Sequence, residues 1–190
     1  MVEFAILGLL HEAPMHGYEL RKRLASLLGA FRAFSYGSLY PALRRLQRAG
    51  LIVEELPDPE PGDPAAAKAT RTWGKRARRV YRVTAEGKER FAALVADGGP
   101  QTWDDDGFGV HMAFFSRTPA EVRMRILEGR RRRVEERREG LRAALARAGE
   151  QIDRYTQELH RMGLESSERE VRWLNELIEH ERAELDGDGR

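Results

Sequence analysis

Proline and glycine cut the first half of this chain into segments too short to be anything but the elements of a small layered domain. Residues 4–10, Phe-Ala-Ile-Leu-Gly-Leu-Leu, form an apolar run that predicts a short buried helix, ended near Ala13-Pro14. His16-Gly17 opens a second helix with Tyr18, Leu20, Leu24, Leu27 and Leu28 on its apolar face and Gly29 as its cap. A third starts within Ser35–Ser38, where either serine can cap it. It holds Pro41 in its first turn, where a missing N–H costs nothing, turns Leu39, Leu43 and Leu46 inward, and stops at Gly50. Leu51 to Leu56 then reads as a strand and Val80 to Thr84 as its returning partner, separated by a tip rich in proline (Pro57, Pro59, Pro61, Pro64). Thr84 caps a fourth helix running to about Ala96, with Gly87 in its first turn.

Three short helices followed by a two-stranded hairpin is the order of a winged helix-turn-helix. The breakers Asp97-Gly98-Gly99-Pro100 and Asp104-Asp105-Asp106-Gly107 mark a boundary. The expected fold is therefore mainly α with a small β-hairpin wing. A winged helix-turn-helix fills residues 1–97, a linker 98–107, and an all-helical domain 108–186. In the second half, Thr118-Pro119-Ala120-Glu121 has the form of a capping box with proline at the first helical position. Leu127, Val134, Leu141, Ala148, Tyr155 and Met162 follow at seven-residue steps, with Leu145, Ile152 and Leu159 in the second seam position. That heptad pattern predicts one helix to about Met162, ended by Gly163, with Gly129, Gly140 and Gly149 as its weak points. Ser167-Glu168-Arg169-Glu170 looks like a second capping box, starting a last helix with Val171, Leu174, Leu177, Ile178 and Leu185 in its stripe. The tail from Asp186 is expected to fray.

Charge is distributed unevenly. Residues 1–96 hold 16 Lys and Arg against 10 Asp and Glu, whereas residues 97–190 hold 17 against 21. Within the first half, Arg21 to Val53 contains seven basic residues and no acid, and Pro64 to Arg82 repeats that pattern. One such run is usually a solvated face. Two, placed on the third helix and on the wing, are what a protein needs to neutralise phosphates and release their counterions. The start of the third helix adds hydroxyls and a glycine that lets backbone come close to a ligand.

Other chemistries find no support. Cysteine is absent, which removes disulfides and thiolate sites. His11, His16, His111, His160 and His180 lack metal-ligand spacing, and there is neither a phosphate-binding glycine loop nor a nucleophile elbow. The chain is not expected to be an enzyme, nor to need a metal or cofactor. Without a signal peptide or an 18-residue apolar run, a cytoplasmic protein with no membrane contact is expected. Trp103, Phe108, Phe114, Phe115 and Trp173 could line a small-molecule pocket, although rings in helices more often serve core or dimer packing.

Three blocks of the sequence resemble the PadR family of bacterial transcriptional regulators. They are His16-Gly17-Tyr18-Glu19-Leu20, then Gly37-Ser38-Leu39-Tyr40-Pro41-Ala42-Leu43-Arg44-Arg45-Leu46 with Gly50-Leu51-Ile52, then Arg79-Val80-Tyr81-Arg82-Val83-Thr84-Ala85-Glu86-Gly87. The resemblance covers residues 4–96 and implies a homodimeric regulator of double-stranded DNA, commonly a repressor, in the branch with a long helical C-terminal domain. Its implied DNA-facing positions are Tyr18 and Arg21 on the second helix and Ser35, Tyr36, Gly37, Ser38, Tyr40, Arg44, Arg45 and Arg48 at the third. On the wing they are Lys75, Arg76, Arg78 and Arg79. The C-terminal helices are implied to build the dimer, through Leu141, Leu145, Ile152, Tyr155, Leu159, Val171, Leu174, Leu177 and Ile178. Some members release DNA on binding a small aromatic ligand. The stretch Pro57 to Arg78 is longer than the family's usual wing tip. The competing reading is a protein-interaction adaptor that uses the heptad helices.

Overall fold

The computed structural model describes residues 1–28, 36–55, 79–148 and 152–188. The chain divides into two compact units: residues 1–96 with 109–116, and residues 97–108 with 117–190.

The first unit is a winged helix. Helix α1 (Val2–Glu12) buries Phe4 through Leu10 without interruption, because α2 (Gly17–Leu28), α3 (Leu39–Arg48) and α4 (Ala85–Val95) all pack on it. Strand β1 (Met15–His16) lies between α1 and α2, while β2 (Ile52–Glu55) and β3 (Val80–Val83) form the base of the wing. The sheet is antiparallel in the order β1-β3-β2, with Met15 opposite Tyr81 and Ile52 opposite Val83. Three strands replace the expected two. Two residues are too few for an alternating pattern to announce β1, and β3 supplies the ladder that makes it a strand.

Local chemistry fixes α3 and the turn after it. Gly50 adopts φ +72°, a left-handed conformation that favours glycine. Its N–H donates to the Gln47 carbonyl at 3.0 Å, and the Leu51 N–H donates to the Leu46 carbonyl at 3.0 Å, the paired closure of a Schellman motif. Thr84 then locks β2 to α4. Its hydroxyl donates to the Gly50 carbonyl at 2.7 Å and accepts from the Gly87 N–H at 3.0 Å, while its own N–H donates to the Leu51 carbonyl. Gly87 itself has no room for a side chain, since a Cβ there would stand 2.0 Å from the Leu51 oxygen.

Residues 109–116 belong to this first unit, which moves them out of the helical domain expected from residue 108 onward. The cause is aromatic packing. Phe114 sits 5.1 Å from Phe4 and 5.5 Å from Phe91, ring to ring, and His111 stacks 4.6 Å from Phe4. Gly8 on α1 leaves the space that the Phe114 ring occupies. The short helix α5 (Phe108–Met112) carries the chain into this position.

The second unit is an antiparallel hairpin of two long helices, α6 (Ala120–Ala148) and α7 (Arg154–Asp188). Ile126, Leu127 and Val134 from α6 and Val171, Leu174 and Ile178 from α7 form its buried seam. The expected single helix to Met162 is therefore two, the first ending at Ala148 just before Gly149. Helix α7 runs straight through Gly163 and through the second expected capping box. The Ser167 hydroxyl donates to the Gly163 carbonyl at 2.9 Å, one turn back, so it satisfies a helix-interior acceptor instead of capping a new start. The helix also extends to Asp188, past the expected fraying point.

One buried cation organises the unit. Arg130 is 7% exposed and bonds Asp105 at 2.6 Å, Glu170 at 2.6 Å and the Trp103 carbonyl at 3.2 Å. Its guanidinium also lies 5.2 Å from the Phe108 ring centroid. Arg137 bridges the same two carboxylates from one edge. Burial raises the Asp105 pKa, but hydrogen bonds and charge from Arg130 and Arg137 outweigh it and hold the carboxyl below its usual range.

Candidate nucleic-acid interface

The third helix offers one face to its own core and the other to solvent. Leu39, Ala42, Leu43 and Leu46 are buried, while Tyr40, Pro41, Arg44, Arg45 and Arg48 are exposed. The spacing follows from the 3.6-residue turn, which puts Tyr40, Arg44 and Gln47 along one line and Pro41, Arg45 and Arg48 along the next. Tyr40 is 55% exposed, which is unusual for a side chain that could bury so much apolar area. Pro41 falls in the first turn, as its missing donor requires. Ser38 precedes the helix, but its hydroxyl makes no capping bond there. Tyr18 on α2 is 71% exposed, and Arg21 lies on the solvent side of the same helix.

The acid-free runs of the sequence are not acid-free in space. Arg79 pairs with Glu54 at 2.8 Å, Arg82 with Glu55 at 2.7 Å, and Arg45 with Glu3 at 2.5 Å. Arg23 is held by Glu19 and Glu12. Among the described residues, no ion pair holds Arg44 or Arg48, and both lie on the exposed face of α3. Ser35, Lys75, Arg76 and Arg78 lie outside the described residues, as do the Gly29 cap and the tip 57–78; Tyr36 and Gly37 form a single 3-10 turn leading into α3.

Beside the exposed face lies a small cleft of about 90 Å³, bordered by Tyr40, Arg44 and Gln47 from α3, by Glu54 and Tyr81 from the wing strands, and by Arg79 just before β3. The Glu54 carboxylate joins the two elements, accepting from Gln47 Nε2 at 3.0 Å and from Arg79 Nη1 at 3.1 Å. Tyr81 is nearly buried, and burial raises its phenol pKa, with the Glu54 charge adding to the shift. Sequence reasoning passed over Glu54, Gln47 and Tyr81. The available signal was that Glu54 is the residue at which the first acid-free run ends.

In the second unit, the expected dimer residues separate into two sets. Val171, Leu174 and Ile178 are buried within the hairpin, and Leu141, Leu145, Ile152 and Leu177 are half-buried. Tyr155 and Leu159 are exposed, together with Met162. The aromatic candidates for a ligand pocket do not converge. Phe114 is core of the first unit, and Phe115 lies in the 3-10 turn that follows. Phe108 packs edge-on against Trp173 at 6.2 Å. Trp103 covers Gly129 and borders a groove of about 530 Å³ with Arg132 and Arg133. Among the described residues no cluster of His, Asp and Glu could hold a metal, and no helix is long and apolar enough to cross a membrane.

Comparison with known proteins gives one family. Residues 6–66 match the Transcriptional regulator PadR-like family. No curated protein matches the chain. Among solved structures, Bacillus subtilis PadR in complex with p-coumaric acid is 18% identical, covering 95% of this chain and 98% of that one, with a TM-score of 0.41. The same protein in complex with operator DNA is 18% identical over 94% and 98%, with a TM-score of 0.40. The PadR-like transcriptional regulator BC1756 from Bacillus cereus is 20% identical over 97% and 99%, with a TM-score of 0.41. None is similar enough to carry a residue or a ligand across. The family match falls on α1, α2, α3 and the first wing strand, the same elements that build the exposed basic face, and over those residues the chain is similar to the PadR-like family of transcriptional regulators.

Proposed function

We propose that this protein is a sequence-specific DNA-binding regulator, acting as a homodimeric repressor whose α3 helices enter successive major grooves of a pseudo-palindromic site. The observation that carries the reading is the exposed face of α3, where Tyr40, Arg44 and Arg48 stand together and no ion pair among the described residues neutralises either arginine. Guanidinium groups on such a face can bond phosphate or guanine edges, and an exposed tyrosine can contact backbone or a thymine methyl. Two such helices in a dimer would sit about 34 Å apart, one turn of the duplex. In this reading the first unit binds DNA and the helical hairpin from residue 117 onward holds the dimer, with exposed Tyr155 and Leu159 among its contacts. The family resemblance makes a small aromatic effector the second ligand to screen.

The test is binding to fragments of the protein's own promoter region, titrated against salt. Arg44→Ala is expected to weaken binding and to flatten the dependence of log K on log salt by about one unit, if its partner is a phosphate. Absent or salt-insensitive binding would leave the adaptor reading, in which the exposed Tyr155-Leu159-Met162 stripe engages another protein.

A further inference from the structure

A carboxylate at the edge of a phosphate-binding face works against binding, so its presence there calls for a reason. Glu54 borders the same cleft as Tyr40 and Arg44, and its side chain is only 20% exposed. It is held by two donors, Arg79 Nη1 at 2.8 Å to one oxygen and Gln47 Nε2 at 3.0 Å to the other. The contact therefore ties the wing strand to the reading helix at one point.

We propose that Glu54 is a specificity-determining residue that keeps the Arg79 guanidinium off DNA phosphates and turns the Gln47 amide nitrogen toward the protein. This rests on the DNA-binding reading above. A free Arg79 would neutralise a phosphate on any sequence, adding affinity without discrimination. A free Gln47 could swing to present either end of its amide, or both ends to adenine. With its nitrogen donating to Glu54, Gln47 offers its carbonyl oxygen, which accepts from the exposed amino group of adenine or cytosine and from no group on guanine or thymine in the major groove. Glu54 thus lowers non-specific affinity and narrows what one position of the helix can read. It acts through Gln47 and Arg79, without touching DNA itself.

The experiment uses the full chain and two duplexes of equal length: one carrying the sequence that the wild type selects from a random library, the other random. Glu54→Gln is expected to steepen the slope of log K against log salt by about one unit, as one more phosphate is engaged. It should raise affinity for the random duplex several-fold and reduce the selected-to-random ratio by about tenfold, roughly the discrimination of one base contact. The double variant Glu54→Gln/Arg79→Gln removes both charges together and is expected to return the salt slope to the wild-type value. An unchanged slope and ratio in Glu54→Gln, or an equal loss on both duplexes, would overturn the inference. So would a double variant with a slope shallower than wild type, since Arg79 would then already contact a phosphate. Should Glu54→Gln fail to fold, as read by circular dichroism, the double variant decides alone. If the wild type selects no sequence and its binding ignores salt, the DNA-binding reading fails first and takes this inference with it.

Discussion

Replacing Gly87 by alanine sets helix propensity against space, and the structure says which wins. In an exposed helix the change would stabilise by about 1 kcal/mol. Here the new Cβ would lie 2.0 Å from the Leu51 carbonyl oxygen and 2.7 Å from a Val83 methyl, the first about 1 Å inside the closest approach that Cβ atoms make. The obstacle is backbone, so no rotamer change relieves it. Nor is the carbonyl free to retreat, because it accepts from the Thr84 N–H at 3.1 Å, and the neighbouring Gly50 carbonyl accepts from the Thr84 hydroxyl at 2.7 Å. Overpacking of this kind costs about 1–3 kcal/mol. Losing a buried hydrogen bond adds about 1 kcal/mol or more. Against the propensity gain, Gly87→Ala should destabilise the first unit by about 1–3 kcal/mol. In urea that lowers the midpoint of the first unit's transition by about 1 M. Amide exchange at Thr84 and Leu51 should speed up selectively. A midpoint at or above the wild-type value would show that the β2–α4 junction is not held as described.

Three further outcomes follow from the packing. Phe114→Ala removes a ring buried against Phe4 and Phe91, and should cost the first unit about 3–5 kcal/mol, read as a lowered melting temperature. Arg130→Ala leaves the Glu170 carboxylate with Arg137 alone and should destabilise the second unit by about 1–3 kcal/mol in urea unfolding, more than Arg133→Ala, whose side chain is exposed. Asp105 has a folded-state pKa below its unfolded value of 3.8, so its contribution is fully present above that pH and is lost as pH falls through the lowered pKa. Acid titration of Asp105→Asn should accordingly remove part of the stability loss seen in the wild type below about pH 4.

What the sequence made legible was whatever chemistry is local. Pro41 and Gly50 bracket α3 because a missing donor and a positive φ act within a few residues, and Thr84 caps α4 for the same reason. The errors arose where the same local signals have two uses. Ser167 and Glu170 satisfy the capping-box pattern, yet with a helical residue four positions back the serine hydroxyl bonds inward. The heptad spacing from Leu127 to Met162 spans a chain reversal, since a seven-residue count carries no information about where the helix ends. The third strand was invisible, being created by its partner. On the surface of α3, the exposed tyrosine and arginines were readable from helical spacing. The pairing of Arg79, Arg82 and Arg45 with acids distant in sequence was not, because ion pairs depend on tertiary proximity and not on runs.

The first hydrophobic core draws on two separated stretches of chain, residues 1–96 and 109–116. Synthesis from the N-terminus therefore delivers every helix and strand of the winged helix before it delivers Phe114. Until residue 116 has emerged, α1 presents Gly8 and Phe4 to water across the place that ring will fill, and the nascent domain waits in an incomplete form. A chain ending within the breaker-rich segment 97–107 would carry every helix and strand of the winged helix but not its last core ring. The segment that looks like a simple joint is thus also the covalent link between a core and its last ring.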